Sequence, residues 1–142
     1  MLLLANIEFK RTIRGNCLPS DQLSEKEREQ IYLGILQFNK QEFFECHETL
    51  EKIWLNQEGE TKELLQGLIQ IAVGYHHMLK GNLNGALNLL KRGLTRVAKH
   101  KSDTLGLALS DLCETVQSNL ATLETNPEAR INPASIPRVR FL

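Results

Sequence analysis

Leu64-Leu65-Gln66-Gly67-Leu68-Ile69-Gln70-Ile71-Ala72-Val73-Gly74-Tyr75-His76-His77-Met78-Leu79 contains no Asp, Glu, Lys or Arg. A helix that is apolar on every side is buried on every side. The stretch, part of a helix predicted over 61–80, is therefore expected at the centre of the fold. Gly81-Asn82 closes it, since glycine suits a left-handed cap and asparagine can start the following helix. At about 100° per residue, Gln66, Gln70 and His77 fall within about 40° of one another on one stripe, with Val73 at its edge. Buried polar groups without partners cost roughly 1–3 kcal/mol each, so a neighbouring helix is expected to satisfy these three.

Outward from that stretch, the same 3.6-residue periodicity predicts four more helices. The first, α1, covers about 24–39 and opens at Ser24-Glu25-Lys26-Glu27, which has the spacing of a capping box. It carries Ile31, Ile35, Leu36 and Phe38. Helix α2 covers about 41–55, and a turn at 56–60 containing Gly59 leads into the central helix, α3. Helix α4 covers about 83–101, with Ala86, Leu87, Leu90, Leu94 and Val97 on one side. Helix α5 covers about 105–124, with apolar residues at 105, 109, 112, 116, 120 and 123. Gly67 and Gly74 in α3, like Gly85 and Gly93 in α4, predict close helix–helix approach. Pro127, Pro133 and Pro137 forbid a sixth long helix. Residues 126–142 therefore read as an extended tail, laid on the bundle by Ile131, Ile136, Val139 and Phe141. Residues 1–23, where Gly15, Asn16 and Pro19 interrupt the alternation of Ile7 and Phe9, read as an irregular arm. Short loops make neighbouring helices antiparallel. The expected fold is all-α: a compact bundle of about five helices over 24–125, in a single domain spanning 1–142.

Composition narrows the function classes. The 142 residues include 17 Lys+Arg and 17 Asp+Glu. That balance excludes a generic nucleic-acid clamp and a polybasic membrane anchor, both of which need excess positive charge. No apolar run reaches the ~20 residues a bilayer span requires. The cysteines, Cys17, Cys46 and Cys113, are odd in number and form no C-x-x-C pair, which fits reduced thiols better than a disulfide framework. The expectation is a cytoplasmic protein with neither nucleic-acid nor membrane partners, and a homo-oligomer is left open.

The residues that could carry chemistry lie on α2. Phe43, His47, Leu50 and Trp54 share a stripe that is expected to face the core, with Phe43, Phe44 and Trp54 packing there. Glu51 lies one turn from His47, and Glu48 can reach the edge of the same space. Facing them, Gln66, Gln70 and His77 of α3 would complete a buried cluster. One reading is a metal site. His47-Glu48-Thr49-Leu50-Glu51 is H-E-x-x-E, one residue away from the zinc helix H-E-x-x-H. His47, Glu51 and His77 would then hold a divalent ion (zinc, manganese or iron) with a position left for water, and Glu48 would be the general base. The di-iron carboxylate pattern fits worse, because the residue three before His47 is Phe44. The other reading is a hydrogen-bond network, with Gln66 and Gln70 as members, that fixes helix register in a non-enzymatic interaction or structural module. His76 and Cys46 read as packed core residues. The basic face of α4, with Lys91, Arg92, Arg96, Lys99, His100 and Lys101, reads most simply as solvated.

Two blocks resemble the hallmarks of a small bacterial and archaeal family, domain of unknown function 309. The first runs Phe38-Asn39-x-x-x-Phe43-Phe44-Glu45-x-His47-Glu48-x-Leu50-Glu51-x-x-Trp54. The second runs from Gln66-Gly67-Leu68-Ile69-Gln70 through Tyr75-His76-His77 to Gly81-Asn82-x-x-Gly85-Ala86. The resemblance covers about 30–95 and implies a compact all-helical fold. It also implies the label of predicted metal-dependent hydrolase that some catalogues attach to the family, a label itself inferred from H-E-x-x-E. At the turn before α2 this chain carries Lys40-Gln41-Glu42, where relatives are expected to have Gly or Arg.

Overall fold

The computed structural model describes residues 23–126, 128 and 131–142. The arm over 1–22, with Cys17, and Pro127 lie outside the described residues. Five α-helices follow one another: α1 (Glu25–Asn39), α2 (Phe43–Trp54), α3 (Gly59–Leu79), α4 (Leu83–Val97) and α5 (Leu109–Thr125). Single 3-10 turns occupy Thr104–Gly106 and Pro133–Ser135. The architecture is an all-α bundle with α3 at its centre.

Local chemistry sets the helix ends. The capping box at α1 is complete: the Glu27 N–H donates to Ser24 Oγ and the Ser24 N–H to Glu27 Oε1, both at 3.0 Å. These bonds satisfy two of the donors that a helix start leaves open. Gly81, at φ 84°, turns the chain out of α3. Asn82 then caps α4, its Oδ1 accepting from the Gly85 N–H at 3.1 Å. The turn into α2 is made by Gln41 at φ 62°, a left-handed conformation more usual for glycine.

The core gathers around α3. Leu64, Leu65, Leu68, Ile71, Ala72 and Tyr75 are each at most 3 % exposed. The Tyr75 ring packs on Phe43 and Phe38, with centroids 5.7 and 6.4 Å away. Its hydroxyl accepts from Nδ2 of the buried Asn119 on α5 at 2.8 Å, so the one polar tip in this region is satisfied. Against α4, glycine sets the spacing. A Cβ on Gly93 would stand 2.8 Å from Gly67 O and 2.9 Å from Ile71 N, and one on Gly74 would stand 2.8 Å from Leu90 Cγ. The two helices meet backbone to backbone. Gly85 has a different role from the expected one: it lies against the Asn82 cap side chain rather than a neighbouring helix.

The tail is held by backbone. Asn39 mimics a strand edge, donating from Nδ2 to Val139 O (2.9 Å) and accepting from the Val139 N–H at Oδ1 (2.7 Å). Ile136 and Val139 are buried beneath it. Farther along, the Ala108 N–H donates to Arg140 O at 2.8 Å and the Leu142 N–H to Gly106 O at 2.9 Å. Two helix boundaries differ from those expected. Helix α4 stops at Val97 rather than 101, and α5 starts at Leu109 rather than 105. Leu105 has φ 60° and Gly106 φ 68°, and Leu107 is extended opposite Phe141. Leu105 lies four residues before Leu109, so periodicity alone assigns it to the helix. The tail's need for a backbone partner overrides that assignment.

Candidate functional site

Helix α2 buries Phe43, Cys46, Thr49, Leu50 and Ile53. Its inward stripe is therefore Phe43, Cys46, Leu50 and Ile53, not the expected Phe43, His47, Leu50 and Trp54. At about 100° per residue this places His47 roughly 80° from the middle of the buried face. Cys46 and Ile53 are the residues that turn the helix, since both are small enough or apolar enough to fill the core completely. Phe44, expected inside, is 50 % exposed. Trp54 is half-buried, with the Lys62 ammonium 4.4 Å above its ring centroid.

At the rim that results, His47 Nε2 lies 2.8 Å from Glu51 Oε2 one turn along the same helix. Nδ1 is buried without a hydrogen-bond partner. An Nδ1–H there would be a stranded donor, so the neutral tautomer with hydrogen on Nε2, donating to Glu51, is the favourable one. Glu48 is exposed. The Phe44 ring stands between two imidazoles, 5.6 Å from His47 and 5.8 Å from His76 by centroids. His76, not His77, is thus the α3 histidine on the α2 side. His77 lies one position further round, where its Nδ1 is 3.4 Å from Asn82 Nδ2.

These positions bear directly on a metal. His47 and Glu51 come together, but the nitrogen that meets Glu51 is spent on it, and His77 does not join them. Among the described residues no group of three or more His, Cys, Asp or Glu side chains is placed to hold an ion. The residues present do not fit a His₂Glu centre.

Gln66 and Gln70 were expected to face α2. They lie instead on the α4 flank of α3, half-buried, in the wall of a groove of about 530 Å³ whose other wall includes Lys91, Arg92, Arg96 and Lys99. The stripe of Gln66, Gln70, Val73 and His77 is real, but it adjoins the Gly67–Gly74 line that packs on α4. Gly67, one position along from Gln66, and Gly74, one turn along from Gln70, were the signal for this. Close approach at those glycines requires α4 to lie beside the amides. Arg96 Nη1 pairs with Glu63 Oε1 across the groove, and Lys91 Nζ lies 2.9 Å from Glu124 Oε1.

The two cysteines in the described region are poor nucleophiles. Burial pushes the Cys46 thiol up to about 12, against a smaller opposing effect of its hydrogen bond to the Phe38 backbone. Burial also raises Cys113. Both therefore stay protonated near neutral pH, and a thiol is far less reactive than a thiolate. Burial likewise raises the Tyr75 hydroxyl, partly offset by the Asn119 hydrogen bond.

Residues 31–89 match the model of a family described as "Domain of unknown function (DUF309)". An uncharacterized protein of Aquifex aeolicus (strain VF5) is 30% identical over 98 residues, 67% of this chain and 29% of that relative. The uncharacterized protein YpuF of Bacillus subtilis (strain 168) is 34% identical over 87 residues, 59% of this chain and 50% of that relative. The chain spans half or less of the length of these curated relatives.

Proposed function

We propose, from the premise that residues 31–89 of this chain belong to the DUF309 family, that the protein is a helical binding module, with His47 and Glu51 forming a structural pair on α2. The observation that carries this reading is the separation of the expected cluster into two places. His47 Nε2 and Glu51 pair with each other on the α2 rim. Gln66 and Gln70 are part of a polar groove shared with α4. A surface of side-chain amides and cations can hold a ligand without catalysing anything.

The competing reading is metal-dependent hydrolysis, with His47, Glu51 and His77 as ligands and Glu48 as base. It requires His77 to take the place of His76 beside Phe44. Consecutive helical residues differ by about 100°, so α3 would have to rotate by that amount. Gly67 and Gly74 would then leave their contacts with Gly93 and Leu90, and larger side chains would enter a gap that admits none. The α3–α4 packing therefore opposes the metal reading.

Thermal unfolding in the presence of zinc, manganese or ferrous ion tests the proposal, because a ligand that binds only the native state raises Tm. The expected result is no rise that depends on His47, with His47→Ala and the native chain responding alike. A rise seen in the native chain and abolished by His47→Ala or His77→Ala would refute it. No helix among the described residues is long and apolar enough to cross a membrane.

A further inference from the structure

We infer that the groove between α3 and α4 is a binding site for a small solute bearing a phosphate dianion. This inference rests on the reading of the chain as a binding module and names its ligand class.

Three observations converge on it. The first is charge. Lys91, Arg92 and Arg96 of α4 and Lys99 just past its end line the groove, and two of these cations are committed, Lys91 to Glu124 and Arg96 to Glu63. Arg92 and Lys99 have no ion pair among the described residues, although both are exposed on the groove side. Two uncompensated positive charges remain, and a phosphate monoester carries about −1.5 to −2 at neutral pH. The second is donor geometry. Arg92 and Arg96 lie one turn apart on α4, and Lys99 follows in the turn just past its end, all three lining the same groove. An arginine fork can bind two phosphate oxygens at once, while a lysine supplies a point charge beside it. Across the groove Gln66 and Gln70, one turn apart, present amides to the same space. Gln70 Oε1 is buried with no hydrogen-bond partner, so the donor Nε2 is the atom of that amide left to meet a ligand in the groove.

The third is how the walls are held. Gly67 and Gly93 let the α3 and α4 backbones touch beneath the groove: a Cβ on Gly67 would stand 3.0 Å from Arg96 Cβ and 3.2 Å from Gly93 O. The amide row and the cation row are thus fixed opposite each other by main chain rather than by mobile side chains. The ion pair from Arg96 to Glu63 ties the two helices together across the same gap. A binding site of this kind is organised before its ligand arrives, which reduces the ordering cost of binding.

Two free cations suit a compact dianion better than a polymer. A nucleic-acid strand gains affinity with each phosphate neutralised, and here the row ends after two. An acidic peptide would bring single-charged, planar carboxylates on a flexible chain, which offer fewer acceptor oxygens per group to the amide and cation donors than a tetrahedral phosphate does.

The test is a titration of the full chain with inorganic phosphate at about pH 8, where the dianion predominates, in metal-free buffer at low ionic strength, followed by the side-chain amide NMR signals of Gln66 and Gln70. These signals are assigned by their loss in Gln66→Ala and Gln70→Ala. The expected result is a saturable shift of both, with affinity reduced at least about tenfold in the Arg92→Gln, Lys99→Gln double variant. Both substitutions are at exposed, unpaired positions, so the fold is retained. Lys26→Gln with Lys52→Gln, elsewhere on the surface, should leave the affinity unchanged. The inference is overturned by no saturable shift, by shifts that survive the Arg92/Lys99 double change, or by tighter binding of a glutamate peptide or an oligonucleotide than of inorganic phosphate. Because no metal is present, failure here is distinct from a His47-dependent metal response, which would overturn the module reading itself.

Discussion

Gly93→Ala probes the contact that places α4 against α3 and so builds the groove. In an open helix interior this change stabilises, since alanine is favoured over glycine by about 1 kcal/mol. Here the new Cβ would meet Ile71 Cγ1 at 2.6 Å, Gly67 O at 2.8 Å and Ile71 N at 2.9 Å. The Ile71 side chain could rotate, but the other two atoms are backbone of the facing helix, and Ile71 itself is wholly buried. To regain ordinary contact distances the helices must separate by several tenths of an ångström along a tightly packed seam. Overpacking of this kind costs typically 1–3 kcal/mol. With a contact this close the upper end applies, and subtracting the helix-propensity gain of about 1 kcal/mol leaves a net loss of about 2 kcal/mol. Urea unfolding followed by circular dichroism, with an unchanged m-value, measures it. Gly85→Ala is the contrast, because its new Cβ would press on the far end of the Asn82 side chain, which can move. It should fall within about 1 kcal/mol of the native chain, a lost cap being offset by propensity. A Gly93→Ala protein as stable as the native chain, or more so, would refute the backbone-to-backbone seam.

Other expectations follow from single contacts. Asn119→Leu removes the donor to both Tyr75 Oη and Ser135 O and should cost about 2 kcal/mol. In a double-mutant cycle with Tyr75→Phe, a coupling of about 1 kcal/mol is expected, and additivity would show that the bond contributes nothing. Asn39→Ala breaks both bonds to Val139. Amide exchange at Val139 should then accelerate far more than exchange in α3, marking local release of the tail. The Cys46 thiol, raised to about 12 by burial, stays protonated in the folded chain while an unfolded thiol ionises at its ordinary value. The unfolded state therefore binds fewer protons between the two values, and stability falls as pH rises through that window. Unfolding in urea across this range should show a shallower alkaline slope for Cys46→Ala than for the native chain.

Much of the fold could be read directly from residue patterns. The uncharged run at 64–79 marks the central helix, Ser24 and Glu27 mark the start of α1, and Gly81-Asn82 marks the α3–α4 turn. These are local effects, in which a few neighbouring residues decide the outcome. The site was less legible because it depends on helix rotation. On α2, Phe43 and Leu50 are compatible with either Cys46 and Ile53 or His47 and Trp54 as companions on the buried face. Hydrophobicity alone weights tryptophan heavily, whereas complete burial favours the smaller pair. On α3, periodicity collects Gln66, Gln70 and His77 on a stripe without saying which neighbour the stripe faces. That information lies in Gly67, Gly74 and Gly93, whose missing side chains decide where α4 can come closest. The 3-10 turn at Thr104–Gly106 was hidden for a different reason. Its cause is the pairing of residues around Leu107 with the tail, more than 30 positions away in the chain.

The central claim is that His47 and Glu51 are partners of each other rather than ligands of an ion. Elemental analysis by plasma mass spectrometry tests it most directly, on untagged protein purified without chelator and again after equilibration with divalent ions, beside His47→Ala. The account predicts no stoichiometric metal that depends on His47 in either preparation. Stoichiometric zinc, manganese or iron in the native chain, absent from His47→Ala, would contradict it.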